Sequence, residues 1–115
     1  PNPLFGAALA PLSDAQAQAA GIPKTSGVIV LWIFKESPAE RAGFSAQDII
    51  TGVGGTPVHG ADELFAAIDA AAGAGAKELK IDGIRRSYRI EGTTYIEIFV
   101  PLTYTLTIEQ TGGAQ

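Results

Sequence analysis

The sequence predicts an α+β fold in which a partly closed antiparallel sheet, or small sandwich, packs against two main helices and ends in a C-terminal β-hairpin. Residues 28–34 are continuously apolar, rich in β-branched and aromatic side chains, and too few for most helices. Residues 62–72 have a helix-forming composition, with Leu64 and Ile68 on one apolar stripe. From Thr94 onwards apolar and polar residues alternate, which is the period of a strand.

Strands and short helices alternate in the first half of the chain. Residues 4–10 predict a first strand. Ser13 can cap a helix over residues 14–20, because its hydroxyl can accept a hydrogen bond from a first-turn amide. The apolar run at residues 28–34 predicts a central strand buried on both faces, so Trp32 is expected in the core.

The middle of the chain predicts a one-turn helix followed by a strand. Ser37 is a suitable cap, Pro38 suits the first helical position, and Gly43 supplies a left-handed stop. Residues 48–53 predict the next strand, and Asp48 is expected to bond turn amides where the chain enters it.

The last third of the chain predicts strands. One covers residues 77–81, a hairpin turn follows at Glu91 and Gly92, and a long last strand covers residues 94–109. Pro101 lacks an amide hydrogen, so this last strand is expected at a sheet edge or bent there. Its apolar face carries Ile96, Ile98, Val100, Leu102, Tyr104, Leu106 and Ile108.

Length and composition indicate one globular domain, which we place at residues 1–110, with residues 111–115 as a flexible tail. The 115 residues are 46% apolar and 17% charged, with a net charge of −4. Arg85, Arg86 and Arg89 form a modest basic cluster that we interpret as a solvated strand face. The acidic balance argues against nucleic acid as a partner. Because the sequence contains no Met, we expect it to be a piece of a longer protein.

Catalytic and metal-binding motifs are missing from the sequence. It has no Cys and one His, His59, and it lacks the Gly-x-Ser-x-Gly and phosphate-loop patterns. No apolar run approaches 18 residues, so no membrane span is expected. We therefore predict that the domain is not an enzyme and that it needs no cofactor or metal.

Three short motifs, in this order and spacing, resemble the middle of a bacterial PDZ domain of the kind attached to HtrA-type proteases. They are Ser37-Pro38-Ala39 with Ala42-Gly43, then Asp48-Ile49-Ile50, then Gly55 with Pro57-Val58. The resemblance covers roughly residues 4–102 and implies a PDZ-like fold. It also implies a domain that binds other polypeptides, with localisation in the periplasm or cell envelope.

The same resemblance implies a peptide-binding loop and a groove beside it. A carboxylate would bind the backbone amides of Leu4, Phe5, Gly6 and Ala7, and the peptide would add as a strand to the residues that follow. Phe5, Phe65 and Ile68 would form a pocket for an apolar side chain. The expected groove residues are Ala8, Leu9, Ala61, Phe65, Ile68 and Asp69.

Two alternatives remain open from the residues alone. Residues 4–7 could be an ordinary first strand with a bulge at Gly6. The domain could instead be a structural or assembly module that pairs through its long C-terminal strand, with no open peptide groove. A homo-oligomer or an adjacent protease domain is a possible partner in either case.

Overall fold

Strands of one antiparallel sheet alternate with helices in the computed structural model, which describes residues 2–109. The elements are β1 (Ala7–Pro11), α1 (Asp14–Ala20), β2 (Val28–Ile33), α2 (Pro38–Arg41), β3 (Ile49–Val53), β4 (Thr56–Pro57), α3 (Ala61–Gly73), β5 (Glu78–Glu91) and β6 (Thr94–Thr107). The predicted tail at residues 111–115 lies outside the described residues. The predicted α+β class, with two longer helices and a C-terminal hairpin, is confirmed.

The strand order places β1 and β6 at opposite edges of the sheet. The order is β1-β2-β3-β5-β6, and β4 pairs only with β3. Every pairing is antiparallel. β1 and β6 do not pair with each other, so the sheet is open.

Two apolar clusters cover the two sides of the sheet. The larger one contains Leu64 and Ile68 of α3 together with Val30, Ile50 and Leu106, all of them fully buried. The smaller one lies under α1 and contains Leu12, Ala17, Ile29 and Ile49. Because neighbouring residues of a strand point to opposite faces, the central apolar run supplies both clusters.

The predicted helix starts are confirmed by their hydrogen bonds. The Ser13 hydroxyl accepts from the Gln16 amide at 3.0 Å, and the Gln16 side chain accepts from the Ser13 amide at 2.8 Å. This reciprocal pair is a capping box. The Ser37 hydroxyl accepts from the Glu40 amide at 3.1 Å and caps the short α2.

The predicted burial of Trp32 is wrong. Its side chain is 61% exposed, and its ring meets that of Phe34 edge-on at 6.5 Å. The reason is that β2 pairs with β3 only at Val28 and Ile29, so the rest of β2 extends beyond the centre of the sheet.

The C-terminal hairpin is longer than the sequence predicts. β5 continues to Glu91, whereas the prediction ends it at Ile81. Beyond Ile84, β5 pairs only with β6, so the end of the hairpin projects as a two-stranded arm (residues 85–100) from a molecule 58 Å in its longest dimension. On the predicted apolar face, Tyr104 and Leu106 are buried, while the residues within the arm are half-buried or exposed.

Asp48 forms a buried ionic cluster that fixes the entrance to β3. It accepts from the Ser45 amide at 2.9 Å, which confirms the predicted turn bond. Arg85 donates to both of its carboxylate oxygens, at 2.9 and 2.7 Å, and the Tyr104 hydroxyl donates at 3.0 Å. The hydrogen bond to Asp48 raises the pKa of Arg85, while burial and the nearby Asp48 charge raise the pKa of Tyr104. Arg85 therefore belongs to this cluster, although its side chain is still 37% exposed on the strand face.

Within residues 2–109, no helix is long and apolar enough to cross a bilayer. The same residues contain no group of three or more side chains suited to hold a metal ion.

Candidate functional site

The open edge of β1 presents backbone hydrogen-bonding groups to solvent. Val30 directs its own groups away from β1, toward the turn before β3, donating to Asp48 O at 2.8 Å and accepting from the Gln47 amide at 2.7 Å. Leu9 lies opposite Val30 across the β1–β2 ladder. In an antiparallel ladder, a pair that exchanges no bonds turns its groups outward, so the Leu9 amide and carbonyl point to the open edge.

Gly6 holds the loop before β1 in a shape that other residues would strain. Its φ is +87°, and an added Cβ would come within 2.2 Å of Ser37 Cβ. Its carbonyl accepts from the Phe34 amide at 3.0 Å, and the Phe5 carbonyl accepts from the Ala39 amide at 2.8 Å. These bonds tie the loop to β2 and α2, so its position does not depend on a ligand.

The backbone amides of this loop are bonded to Asn2. The Leu4 amide donates to Asn2 Oδ1 at 2.8 Å. The Phe5 and Gly6 amides both donate to the Asn2 backbone oxygen, at 3.0 and 2.8 Å. Consecutive amides that converge on one acceptor form an anion-binding type of nest. Sequence reasoning missed this role of Asn2, although an Asn before a Pro is a known signal for the start of a turn.

The helix α3 contacts β1 and forms the opposite side of the candidate groove. Ala61 and Phe65 are half-buried, and Asp69 is exposed. The sequence also predicts Ile68 in the groove, but its side chain is fully buried beside Leu64 in the core.

The aromatic side chains at this end of the molecule pack on one another. Phe5 is fully buried, with its ring 5.1 Å from that of Phe44 and 6.5 Å from that of Phe65. Of the three side chains expected to form a pocket, the rings of Phe5 and Phe65 thus lie close together and Ile68 is buried in the core. Phe65 is the member of this set that retains exposed surface.

The structure brings the two halves of the predicted site together. Ala8 and Leu9 of β1 are half-buried, as is Leu4 before it, while Phe5, Gly6 and Ala7 are buried. Asn2 Nδ2 donates to Asp69 Oδ1 at 3.1 Å and so links the loop to α3. That these residues bind peptide stays a prediction.

Three cavities lie elsewhere on the molecule. One of about 230 Å³ lies between α1 and the base of the arm, lined in part by Ala19, Ile49 and Phe99. The others open along the sheet near Asp82 and Asp48. None of the three is lined by residues of β1 or α3, but strand addition uses a sheet edge and needs no enclosed cavity.

Comparison with known proteins shows the class of this domain. A family model described as PDZ domain matches residues 29–84, which include the three motifs singled out in the sequence. Residues 29–84 thus match a PDZ domain, and the chain is similar to the PDZ domains of HtrA-type proteases. PDZ domains are binding modules, and the chain itself is not a catalytic domain.

Two curated relatives carry the similarity to proteases. The chain is 40% identical to the magnetosome formation protease MamE of Magnetospirillum gryphiswaldense over 63 residues, which are 55% of this chain and 8% of the relative. It is 32% identical to the putative serine protease HhoA of Synechocystis over 101 residues, which are 81% of this chain and 25% of the relative. The chain thus spans a quarter or less of these relatives.

Two solved structures share the fold. One is a variant of the HtrA-type protease AlgW with a decapeptide, which has a TM-score of 0.60 at 15% identity over 90% of this chain and 27% of the other. The second is the HtrA3 PDZ domain bound to the phage-derived ligand FGRWV, which has a TM-score of 0.51 at 20% identity over 88% and 86%. At these identities the two structures show the PDZ-like fold alone.

Proposed function

We propose that this PDZ domain captures C-terminal or extended segments of other polypeptides by strand addition to β1. The observation that carries the proposal is the open edge of β1, where Leu9 turns its amide and carbonyl outward opposite α3. The fold neighbour HtrA3 is a PDZ domain with a bound peptide, and AlgW was solved with a decapeptide, which supports the same use here. The ligand would gain main-chain hydrogen bonds along the edge and a contact with Phe65.

The proposed role within the cell follows from the relatives. Both curated relatives are named as proteases of bacteria. We infer that the domain recruits substrate or senses a signal peptide for a larger HtrA-like protease in the bacterial periplasm or envelope.

The test of strand addition is a substitution that removes one outward amide. Leu9→Pro removes the amide hydrogen that faces the open edge and leaves the bonds to β2 in place, because Leu9 makes none with Val30. Leu9→Ala is the matched control, since it loses the same side chain but keeps the amide. Binding would be measured by fluorescence titration against a library of random decapeptides with free C-termini.

We expect Leu9→Pro to weaken binding of selected peptides about tenfold or more, because a peptide carbonyl loses its amide donor at a cost of about 1–3 kcal/mol. Leu9→Ala keeps that amide, so we expect it to weaken binding clearly less. Equal losses in both variants would contradict strand addition at this edge. Absence of any binding at high micromolar peptide would contradict a peptide-binding function.

A second candidate function is assembly through the C-terminal hairpin. In the part of the chain that the structure describes, neither outer edge of the arm (residues 85–100) pairs with another strand. The arm exposes Tyr88, Ile90 and Tyr95, at 55%, 62% and 71%. Exposed apolar side chains on an unpaired strand favour pairing with another chain. Light scattering across a concentration series tests this: dimers lost in Ile90→Ser with Tyr95→Ser would support assembly, and a monomer at all concentrations would contradict self-assembly.

A further inference from the structure

Oxygen atoms of the domain itself already accept hydrogen bonds from the loop amides where a ligand's C-terminal carboxylate would bind. The amides of Leu4, Phe5 and Gly6 all bond oxygens of Asn2, at 2.8–3.0 Å. These are ordinary lengths for full hydrogen bonds. A carboxylate at this loop would have to break them before forming its own, so its net gain from the nest is small.

The charge beside the loop also disfavours a carboxylate. Asp69 Oδ1 accepts from Asn2 Nδ2 at 3.1 Å, so this anionic group lies one amide side chain away from the loop amides. A ligand carboxylate that displaced the Asn2 side chain would face the Asp69 carboxylate, and like charges at short range repel. Displacement would also leave Asp69 without the donor that it has in the free domain.

The open edge of β1 can pair with a segment from the middle of a chain as well as with its end. Within residues 2–109, β1 pairs with β2 alone, and the outward groups of Leu9 can pair with any extended backbone. The half-buried side chains Ala8 and Leu9 on β1 and Ala61 on α3 are small or apolar, and none of them distinguishes the end of a chain from its middle.

We propose that the groove binds internal extended segments of polypeptides and does not require a free C-terminal carboxylate, because oxygens of Asn2 already accept from three of the four expected carboxylate-binding amides, those of Leu4, Phe5 and Gly6. The inference rests on the proposed function, since it names the class of segment that β1 accepts. Asn2 is a specificity-determining residue in this account, and Asp69 holds its side chain in place.

The experiment compares three forms of each peptide selected from the random decapeptide library. One form has a free C-terminus, one is amidated, and one continues into a Gly-Ser extension. With the unmodified domain, we expect dissociation constants within about threefold of one another, since capture of a charged group would otherwise change them tenfold or more. A loss of tenfold or more on amidation and on extension would overturn the inference while leaving strand addition intact. No binding of any form would overturn the proposed function and the inference together.

A second readout follows the loop directly. On titration with the amidated peptide, the NMR amide resonances of Ala7 and Leu9 should shift, while those of Phe5 and Gly6 should stay in place. Large downfield shifts of Phe5 and Gly6 that occur only with the free C-terminal form would overturn the inference.

Variants at the loop should make the domain prefer peptides with a free C-terminus. Asn2→Ala frees the Leu4 amide and removes the bond to Asp69, while the Asn2 backbone oxygen stays bonded to the Phe5 and Gly6 amides. Asp69→Asn removes the charge and keeps a polar side chain. In the double variant the free form should gain at least about threefold over the amidated form. An unchanged ratio, in a protein whose thermal midpoint shows that it is folded, would overturn the role assigned to the Asn2 side chain and the Asp69 charge.

Discussion

The two edges of the sheet, β1 and β6, are held in place by different means. β1 has five residues, but the loop before it is buried at Phe5 and Gly6 and is bonded to β2 and α2. β6 has fourteen residues, and only its C-terminal part packs against the core, while the rest projects in the arm. The shorter edge is the better fixed one. What covers its faces, and not its length, decides how firmly an edge strand is held.

The largest expected difference lies within β6 itself. Leu106 and Ile96 have side chains of equal size on the same predicted face, but Leu106 is fully buried and Ile96 lies in the arm. We expect Leu106→Ala to lower the free energy of unfolding by about 2–5 kcal/mol through the cavity it leaves. We expect Ile96→Ala to lower it by less than about 1 kcal/mol. Urea denaturation measures both.

Equal losses for the two variants would show that the arm is covered in solution. The obvious cover would be a second copy of the domain, and a dependence of the unfolding midpoint on protein concentration would then reveal it.

The next comparison sets a glycine of the β1 loop against a glycine of the arm. Gly6 and Gly92 both have positive φ, +87° and +62°. An added Cβ at Gly92 meets nothing within 4 Å, whereas at Gly6 it approaches Ser37 Cβ to 2.2 Å. Both alanine variants lose about 1–2 kcal/mol from the left-handed backbone. We expect Gly6→Ala to lose about 1–3 kcal/mol more, because the loop must shift to relieve the overlap. Equal losses of unfolding free energy in Gly6→Ala and Gly92→Ala would mean that Ser37 shifts away from the added methyl group at no cost.

Much of the fold could be predicted because its signals are local. The caps at Ser13 and Ser37 and the turn bond of Asp48 depend on neighbours within three residues. The motifs from Ser37 to Val58 describe a continuous stretch of scaffold, and the family match covers the same stretch.

The errors concern contacts between distant parts of the chain. Trp32 lies in an apolar run, and no pattern in that run shows where β3 stops pairing with β2. Arg85 and Arg86 are adjacent and look alike in sequence. Arg85 bonds the buried Asp48, 37 residues away, while Arg86 pairs at 3.6 Å with Glu97 on the surface of the arm. The sequence predicts which segments form the candidate site, and their binding of peptide stays a prediction. The bonds of Asn2 depend on a fold around the loop that composition does not encode.

The smallest expected effect concerns Tyr104, where the base of β6 meets the Asp48 cluster. Tyr104→Phe removes the 3.0 Å hydrogen bond to Asp48 and keeps the ring, which stacks on Phe44 at 3.8 Å. At neutral pH we expect a loss of about 1 kcal/mol in the free energy of unfolding. Tyr95→Phe, on the exposed arm, is the matched control and should change it by less than about 0.5 kcal/mol.

The stability difference between the unmodified protein and Tyr104→Phe should also depend on pH. Burial, with the Asp48 charge, raises the folded-state pKa of Tyr104 above the value of about 10 expected when the chain is unfolded. Its stabilising contribution is therefore complete below about pH 10 and is lost as the pH rises through the folded-state pKa. Because phenylalanine cannot ionise, the difference in stability between the two proteins should shrink above about pH 10, by up to about 1.4 kcal/mol per pH unit. A difference that stays constant from pH 8 to 11 would mean that the phenol is not kept neutral by its burial, and that the base of β6 is as open to water as the arm.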